Sequence, residues 1–166
     1  MRAVIGAKGE CGMYKKAIYP GSFDPFTNGH LDIVKKASKL FEEVYIYIGV
    51  NPNKKRSFDP DKMKTAIEST LAELGICNCR VIAESGLVAE FAKSNGIGYM
   101  IRGLRNNMDY NYEENIAEVN KLINPELEYV YFRAENVAVS SSMVKELHSY
   151  GQNVSPYLPK HVLEII

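Results

Sequence analysis

Apolar residues along this chain fall into short β-rich runs separated by stretches with helical spacing. Ala17-Ile18-Tyr19 is the first run, and Val44–Val50, rich in Val, Ile and Tyr, is the second. Cys79–Ala83, Tyr99–Ile101 and Leu127–Phe132 complete five predicted strands. Between them, Asn28–Phe41 repeats Leu31, Val34, Ala37, Ser38 and Phe41 on one helical face. Asp59-Pro60 pairs an N-cap with a first-turn proline and opens a helix to about Leu74. Leu87–Ser94 is a short helix stopped by Asn95-Gly96, and Asp109–Leu122 is closed by Asn124-Pro125. Ser140–Tyr150 ends at Gly151, and a last short helix follows Pro159. Strands alternating with helices predict an α/β, Rossmann-like domain: a five-stranded parallel sheet with helices on both faces.

Ligands of such sheets sit beyond the carboxyl ends of the strands. The polar residues obey that rule. The Gly21–His30 turn follows the first strand, Lys54 the second, Arg102 and Arg105 the fourth, and Ser140–Ser142 the fifth.

At 166 residues the chain suits one well-cored domain. Twenty basic and twenty acidic residues cancel, which argues against a general nucleic-acid binder. No window reaches the ~18 consecutive apolar residues of a membrane span. Residues 1–12 lack the apolar core of a secretory signal and are read as a leader preceding a domain over 13–166. Cys11, Cys77 and Cys79 form an odd set without metal-ligand spacing; Cys77 and Cys79 alternate in one strand and are poorly placed to bridge. Reduced cysteines predict a cytoplasmic location.

The candidate chemistry begins at Tyr19-Pro20-Gly21-Ser22-Phe23-Asp24-Pro25-Phe26-Thr27-Asn28-Gly29-His30. Turn amides, a helix N-terminus and an imidazole converge there and suit a nucleotide phosphate. Asn28 is the expected N-cap and Gly29 permits close backbone approach. Lys54, in Asn51-Pro52-Asn53-Lys54-Lys55-Arg56, is either a solvated loop cation or one aimed into the cleft; Lys55 and Arg56 are read as screening charge. Arg102 and Arg105 offer planar forks for phosphate, the alternative being an ion pair to Asp109 or Glu113. Ser140 with Met143, and Ser141 or Ser142 with Glu146, fit a helix start whose hydroxyls and amides also serve a triphosphate. Glu113 accepts from ribose hydroxyls or is merely solvated. There is no GxxxxGK[ST] loop and no GxGxxG after the first strand, so P-loop and dinucleotide-binding chemistry are disfavoured. His148 and His161 are read as structural or exposed.

The first of these motifs resembles the T/HxGH signature of the nucleotidylyltransferase superfamily. YPGSFDPFTNGH, the lysine after NPN, IRGLR followed by DYNYE, NPELE and SSSMVKEL together resemble the bacterial-type phosphopantetheine adenylyltransferases, in order and spacing, from about Tyr14 to the C-terminus. The resemblance implies transfer of AMP from ATP to 4′-phosphopantetheine with a magnesium ion. It implies that Ser22 touches both substrates and that Phe23 and His30 lie against the ATP phosphates. Lys54, Val88 and Arg102 would hold phosphopantetheine; Gly103, Leu104, Arg105, Glu113, Asn136, Val137, Ala138, Val139, Ser140, Ser141 and Ser142 would hold ATP. His30, Lys54 and Arg102 would carry the catalysis. Ser22 stands where the family often has Thr, and Asn136 where it often has an aromatic residue. A homohexamer and feedback by coenzyme A are implied as well, with no nucleic-acid or membrane partner. Two rivals remain: a related transferase acting on nicotinate mononucleotide or glycerol phosphate, and a non-catalytic nucleotide-binding protein on the same scaffold.

Overall fold

The structure, a computed structural model, describes residues 15–104, 107–133 and 139–166. Five strands form one sheet: β1 (Lys16–Gly21), β2 (Glu43–Gly49), β3 (Cys79–Glu84), β4 (Tyr99–Leu104) and β5 (Glu128–Arg133). Their order is β3-β2-β1-β4-β5 and every pairing is parallel. β1 pairs with β2 through Gly21↔Ile48 but with β4 only at Ala17↔Tyr99 and Ile18↔Met100. The carboxyl ends of β1 and β4 therefore splay apart. The strand order also reverses there, which opens a crevice at the sheet edge.

The helices are α1 (Asn28–Ser38), α2 (Pro60–Glu73), α3 (Val88–Ser94), α4 (Asn107–Ile123), α5 (Ser141–Ser149) and α6 (Lys160–Leu163). They cover both faces, as the alternating strands require. In β2, Val44, Ile46 and Ile48 point into a core shared with Val34 of α1, Ile67 of α2, Val144 of α5 and Val162 of α6. Tyr45 and Tyr47 point the other way, onto Ala89 and Ala92 of α3 and Leu127. Burial of both faces explains why β2 reads as a continuous apolar run.

Three local readings change. α1 ends at Ser38, short of Phe41, because the amides of Leu40 and Phe41 both turn back to the Ala37 carbonyl. Phe41 still packs, its ring 5.4 Å from that of Tyr99. Cys77 lies outside β3 and is exposed, so the two cysteines do not alternate within one strand. Asn78 is the reason: its side-chain amide donates to the Ser38 and Phe41 carbonyls and ties the start of β3 to the end of α1. Burial, with a smaller contribution from Cys77, raises the Cys79 thiol to about 11. Finally, the N-cap of α1 is Thr27 and not Asn28, whose amide donates instead to the Pro156 carbonyl. Residues 1–12, read as a leader, fall outside the described residues.

Candidate active site

A cavity of about 370 Å³ opens at the carboxyl ends of β1 and β4. Its floor is the β1–α1 turn. Thr27 and His30 form a reciprocal capping box there, with the Thr27 hydroxyl accepting from the His30 amide and the Thr27 amide donating to His30 Nδ1 at 3.0 Å. A nitrogen that accepts from an N–H carries no proton, so the neutral imidazole holds its proton on Nε2. The ring is fixed between aromatic neighbours, with centroids 5.0 Å from Phe23 and 5.6 Å from Phe26. Phe23 itself sits at φ 44°, a left-handed conformation that an L-residue adopts only when its surroundings hold it. Gly21 is part of that hold: a Cβ there would lie 2.8 Å from the Phe23 ring. At Gly29, which lines the cavity, a Cβ would meet only ordinary contacts, at 3.5 and 3.8 Å, so the protein's own packing does not require a glycine there.

Arg102 stands at the end of β4, largely withdrawn from solvent. Its Nε and Nη2 donate to the two carboxylate oxygens of Glu113, both at 2.6 Å, and Nη1 donates to the Pro20 carbonyl at 3.0 Å. Burial alone would lower the guanidinium pKa, but the Glu113 pair outweighs it and holds Arg102 above its ordinary value. Each terminal nitrogen keeps a second N–H beyond these bonds, so the fork is held in place with donors left for an anion. Tyr19 lies beneath, its phenol pushed far up by burial despite the opposing pull of Arg102.

The third wall is the start of α5. Ser140 caps the helix by accepting from the Met143 amide at 3.1 Å, and the Ser141 hydroxyl donates to the Pro25 carbonyl at 2.7 Å. Val139, Ser140, Ser141 and Ser142 all line the cavity, as do Ser22, Phe23, His30, Arg102, Gly103 and Glu113. Leu104, the last residue of β4, lines neither this cavity nor its neighbour. Nor does Lys54, which is exposed on the turn that follows β2. Arg105, Asn136, Val137 and Ala138 lie outside the described residues.

A second cavity, of about 320 Å³, adjoins the first across Pro20, Gly21 and Arg102. Tyr47, Leu87, Val88, Met100 and Ile116 make it largely apolar. Arg102 thus faces two compartments, one with polar and apolar walls in similar measure and one largely apolar.

Two residues of this region were not legible as such. Arg56, read as screening charge, is a structural clamp: Nη2 donates to the Ser22 carbonyl at 2.7 Å and Nη1 to that of Gly49 at 3.4 Å. Asp24 is buried and accepts from the Ser57 and Phe58 amides and from Lys145 of α5. Burial pushes its carboxyl up, but these donors together hold it below the ordinary carboxylate range. Nothing in Phe23-Asp24-Pro25 marks the acid as buried, so the sequence held no signal that singles it out.

The donor set bears on metal binding too. Glu113 is engaged by Arg102, Asp24 by amides and Lys145, and among the described residues no three His, Cys, Asp or Glu side chains are grouped to hold an ion.

Residues 18–147 match a family described as cytidylyltransferase-like. The chain is 44% identical to a phosphopantetheine adenylyltransferase from Cytophaga hutchinsonii, over 89% of this chain and 98% of that protein. It is 43% identical to a phosphopantetheine adenylyltransferase from Heliobacterium modesticaldum, over 89% of this chain and 88% of that one. Among solved structures, a bifunctional NMN adenylyltransferase/ADP-ribose pyrophosphatase from Francisella tularensis, complexed with AMP and a manganese ion, superimposes with a TM-score of 0.64 at 19% identity. The match covers 88% of this chain and 44% of that one, and it shows a shared fold.

Proposed function

Because the chain belongs to the phosphopantetheine adenylyltransferase family, we propose that it transfers AMP from ATP to 4′-phosphopantetheine, yielding dephospho-coenzyme A and pyrophosphate. One observation of the structure carries the reading. Arg102 lies on the wall common to a cavity that offers serine hydroxyls and a histidine, and a largely apolar cavity with Val88. An acceptor with a phosphate head and a long, partly apolar arm matches that pair, its phosphate at Arg102 and its arm along Val88. A base-bearing acceptor such as nicotinate mononucleotide would meet one aromatic residue there, Tyr47, and one amide, Asn120, whose Nδ2 already donates to the Tyr129 hydroxyl.

The chemistry follows from the charges. A phosphate oxygen of the acceptor is already anionic at neutral pH and attacks the α-phosphorus of ATP in line. The bond from that phosphorus to the bridging oxygen breaks, and pyrophosphate departs. No general base and no covalent intermediate are required. The obstacle is repulsion between two polyanions, which His30, Arg102, Lys54 and the magnesium ion carried by ATP would screen. His30 Nε2–H is a donor toward phosphoryl oxygens as charge grows on them. Ser140–Ser142 and the free amides of α5 suit the triphosphate, and Ser22 lies where both substrates meet. Arg105, Leu104 and Asn136–Val139 would complete the nucleotide site. Glu113 serves on this reading chiefly by fixing Arg102, with the ribose as its second partner.

Other expectations rest on the family. A homohexamer is supported by the exposure of apolar Val119 and Leu122 on α4, at 58% and 85%. Feedback by coenzyme A would act at the same pair of cavities. A cytoplasmic location is expected on the same ground; among the described residues no helix is long and apolar enough to cross a membrane.

Isotope exchange tests the mechanism. With labelled pyrophosphate and Mg-ATP, exchange is expected only when 4′-phosphopantetheine or dephospho-coenzyme A is present. Exchange without either would demonstrate an adenylylated enzyme and contradict direct transfer.

A further inference from the structure

Asp24 is 6% exposed in the turn between β1 and α1, and no step above uses it. Its carboxylate ties two elements together. Oδ1 accepts from the Phe58 amide at 2.9 Å and from the Ser57 amide at 3.2 Å, at the end of the loop that carries Lys54. Oδ2 shares the Ser57 amide, at 3.1 Å, and also accepts from Lys145 Nζ at 3.2 Å, one turn into the helix whose start carries Ser140–Ser142. Arg56 stands 4.0 Å from Oδ1 while its own fork holds the Ser22 carbonyl. A buried charge with this many donors is strongly favoured in one geometry, and removing a partner leaves costly unpaired groups.

We propose that Asp24 is a positioning residue for the transfer reaction, its carboxylate tying the start of α5, a wall of the phosphate cavity, and the basic loop before α2 to the β1–α1 turn. The Ser57 and Phe58 amides are the tie to the loop, and Lys145 on Oδ2 is the tie to α5. This rests on the reading of the cavity as the nucleotide site. The two ties separate chemically. Asp24→Asn can keep its oxygen on the Ser57 and Phe58 amides, but its amide group then faces the Lys145 ammonium, donor against donor. Lys145→Met removes the same tie from the other side, keeps much of the side-chain stem, and leaves Asp24 on its loop amides.

The experiment compares wild type, Asp24→Asn, Lys145→Met and the double variant. It measures Kd for Mg-ATP by calorimetry, with kcat and both KM values from pyrophosphate release. Each single variant is expected to weaken Mg-ATP binding on the order of tenfold, in Kd and in KM alike. The KM for 4′-phosphopantetheine should change less, since the basic loop keeps its anchor. The double variant should be no worse than Asp24→Asn, because both changes remove one bond. Lys145→Met with unchanged Kd and KM, and only a lowered Tm, would overturn the proposal; so would a double variant whose losses add. Lys145→Met carries the test if Asp24→Asn fails to fold. A wild-type protein that binds Mg-ATP without releasing pyrophosphate would remove the transferase reading, and the Kd comparison would still judge Asp24. A wild type that binds no Mg-ATP would overturn both.

Discussion

His30 joins a structural role in the β1–α1 turn to the chemical role proposed for it. The Thr27 amide occupies Nδ1, which leaves the proton on Nε2, and the rings of Phe23 and Phe26 hold the imidazole in place. Preorganised donors of this kind matter most where charge develops during reaction. His30→Ala is therefore expected to lower kcat by roughly 10²–10³ while the KM for ATP moves far less. Steady-state pyrophosphate release measures both, and undiminished turnover would remove His30 from the transition state. Its place at the carboxyl end of β1, on the cavity there, was legible, because Thr-Asn-Gly-His after a Pro-Gly turn is a specific run. The cap was not: Thr27 and Asn28 are both good cap formers one position apart, and local preference cannot choose between them. Arg102 divides in the same way. Either an ion pair or phosphate recognition could be read from IRGLR, and the structure presents the ion pair to Glu113 with N–H groups to spare.

Among the elements, the β1–α1 turn has the least freedom. Gly21 and Phe23 interlock, since a Cβ at Gly21 would lie 2.8 Å from a ring that is 1% exposed and held at positive φ. Gly21→Ala is expected to destabilise the protein by about 1–3 kcal/mol, the usual cost of overpacking a rigid site. Denaturant midpoints check this, and a neutral result would mean that Phe23 can yield. Strands and helices were legible because each repeats a period over many residues, as the apolar run of β2 and the Asp59-Pro60 start of α2 do. The links between loops were not. Asp24 meets partners 33 and 121 residues away, and Arg56 reaches the Ser22 carbonyl across 34. Hydrogen bonds of that span leave no periodic trace. The same limit explains the end of α1, where Asn78 of a later segment takes the Ser38 and Phe41 carbonyls.

At the scale of the whole molecule, the strand order β3-β2-β1-β4-β5 places the reversal between β1 and β4, and both cavities open at that edge. The sheet delivers the turn, the arginine and the serine-rich helix start to one place from distant parts of the chain. Relatives 43–44% identical over 89% of the chain carry the phosphopantetheine adenylyltransferase name, and the paired cavities give that membership a physical form in this protein. The most direct test is pyrophosphate release from Mg-ATP with three acceptors in parallel: 4′-phosphopantetheine, pantetheine lacking the phosphate, and nicotinate mononucleotide. Turnover with 4′-phosphopantetheine alone is expected, because only that acceptor offers both an anion for Arg102 and an arm for the apolar cavity. Turnover with nicotinate mononucleotide, or with none of the three, would contradict it.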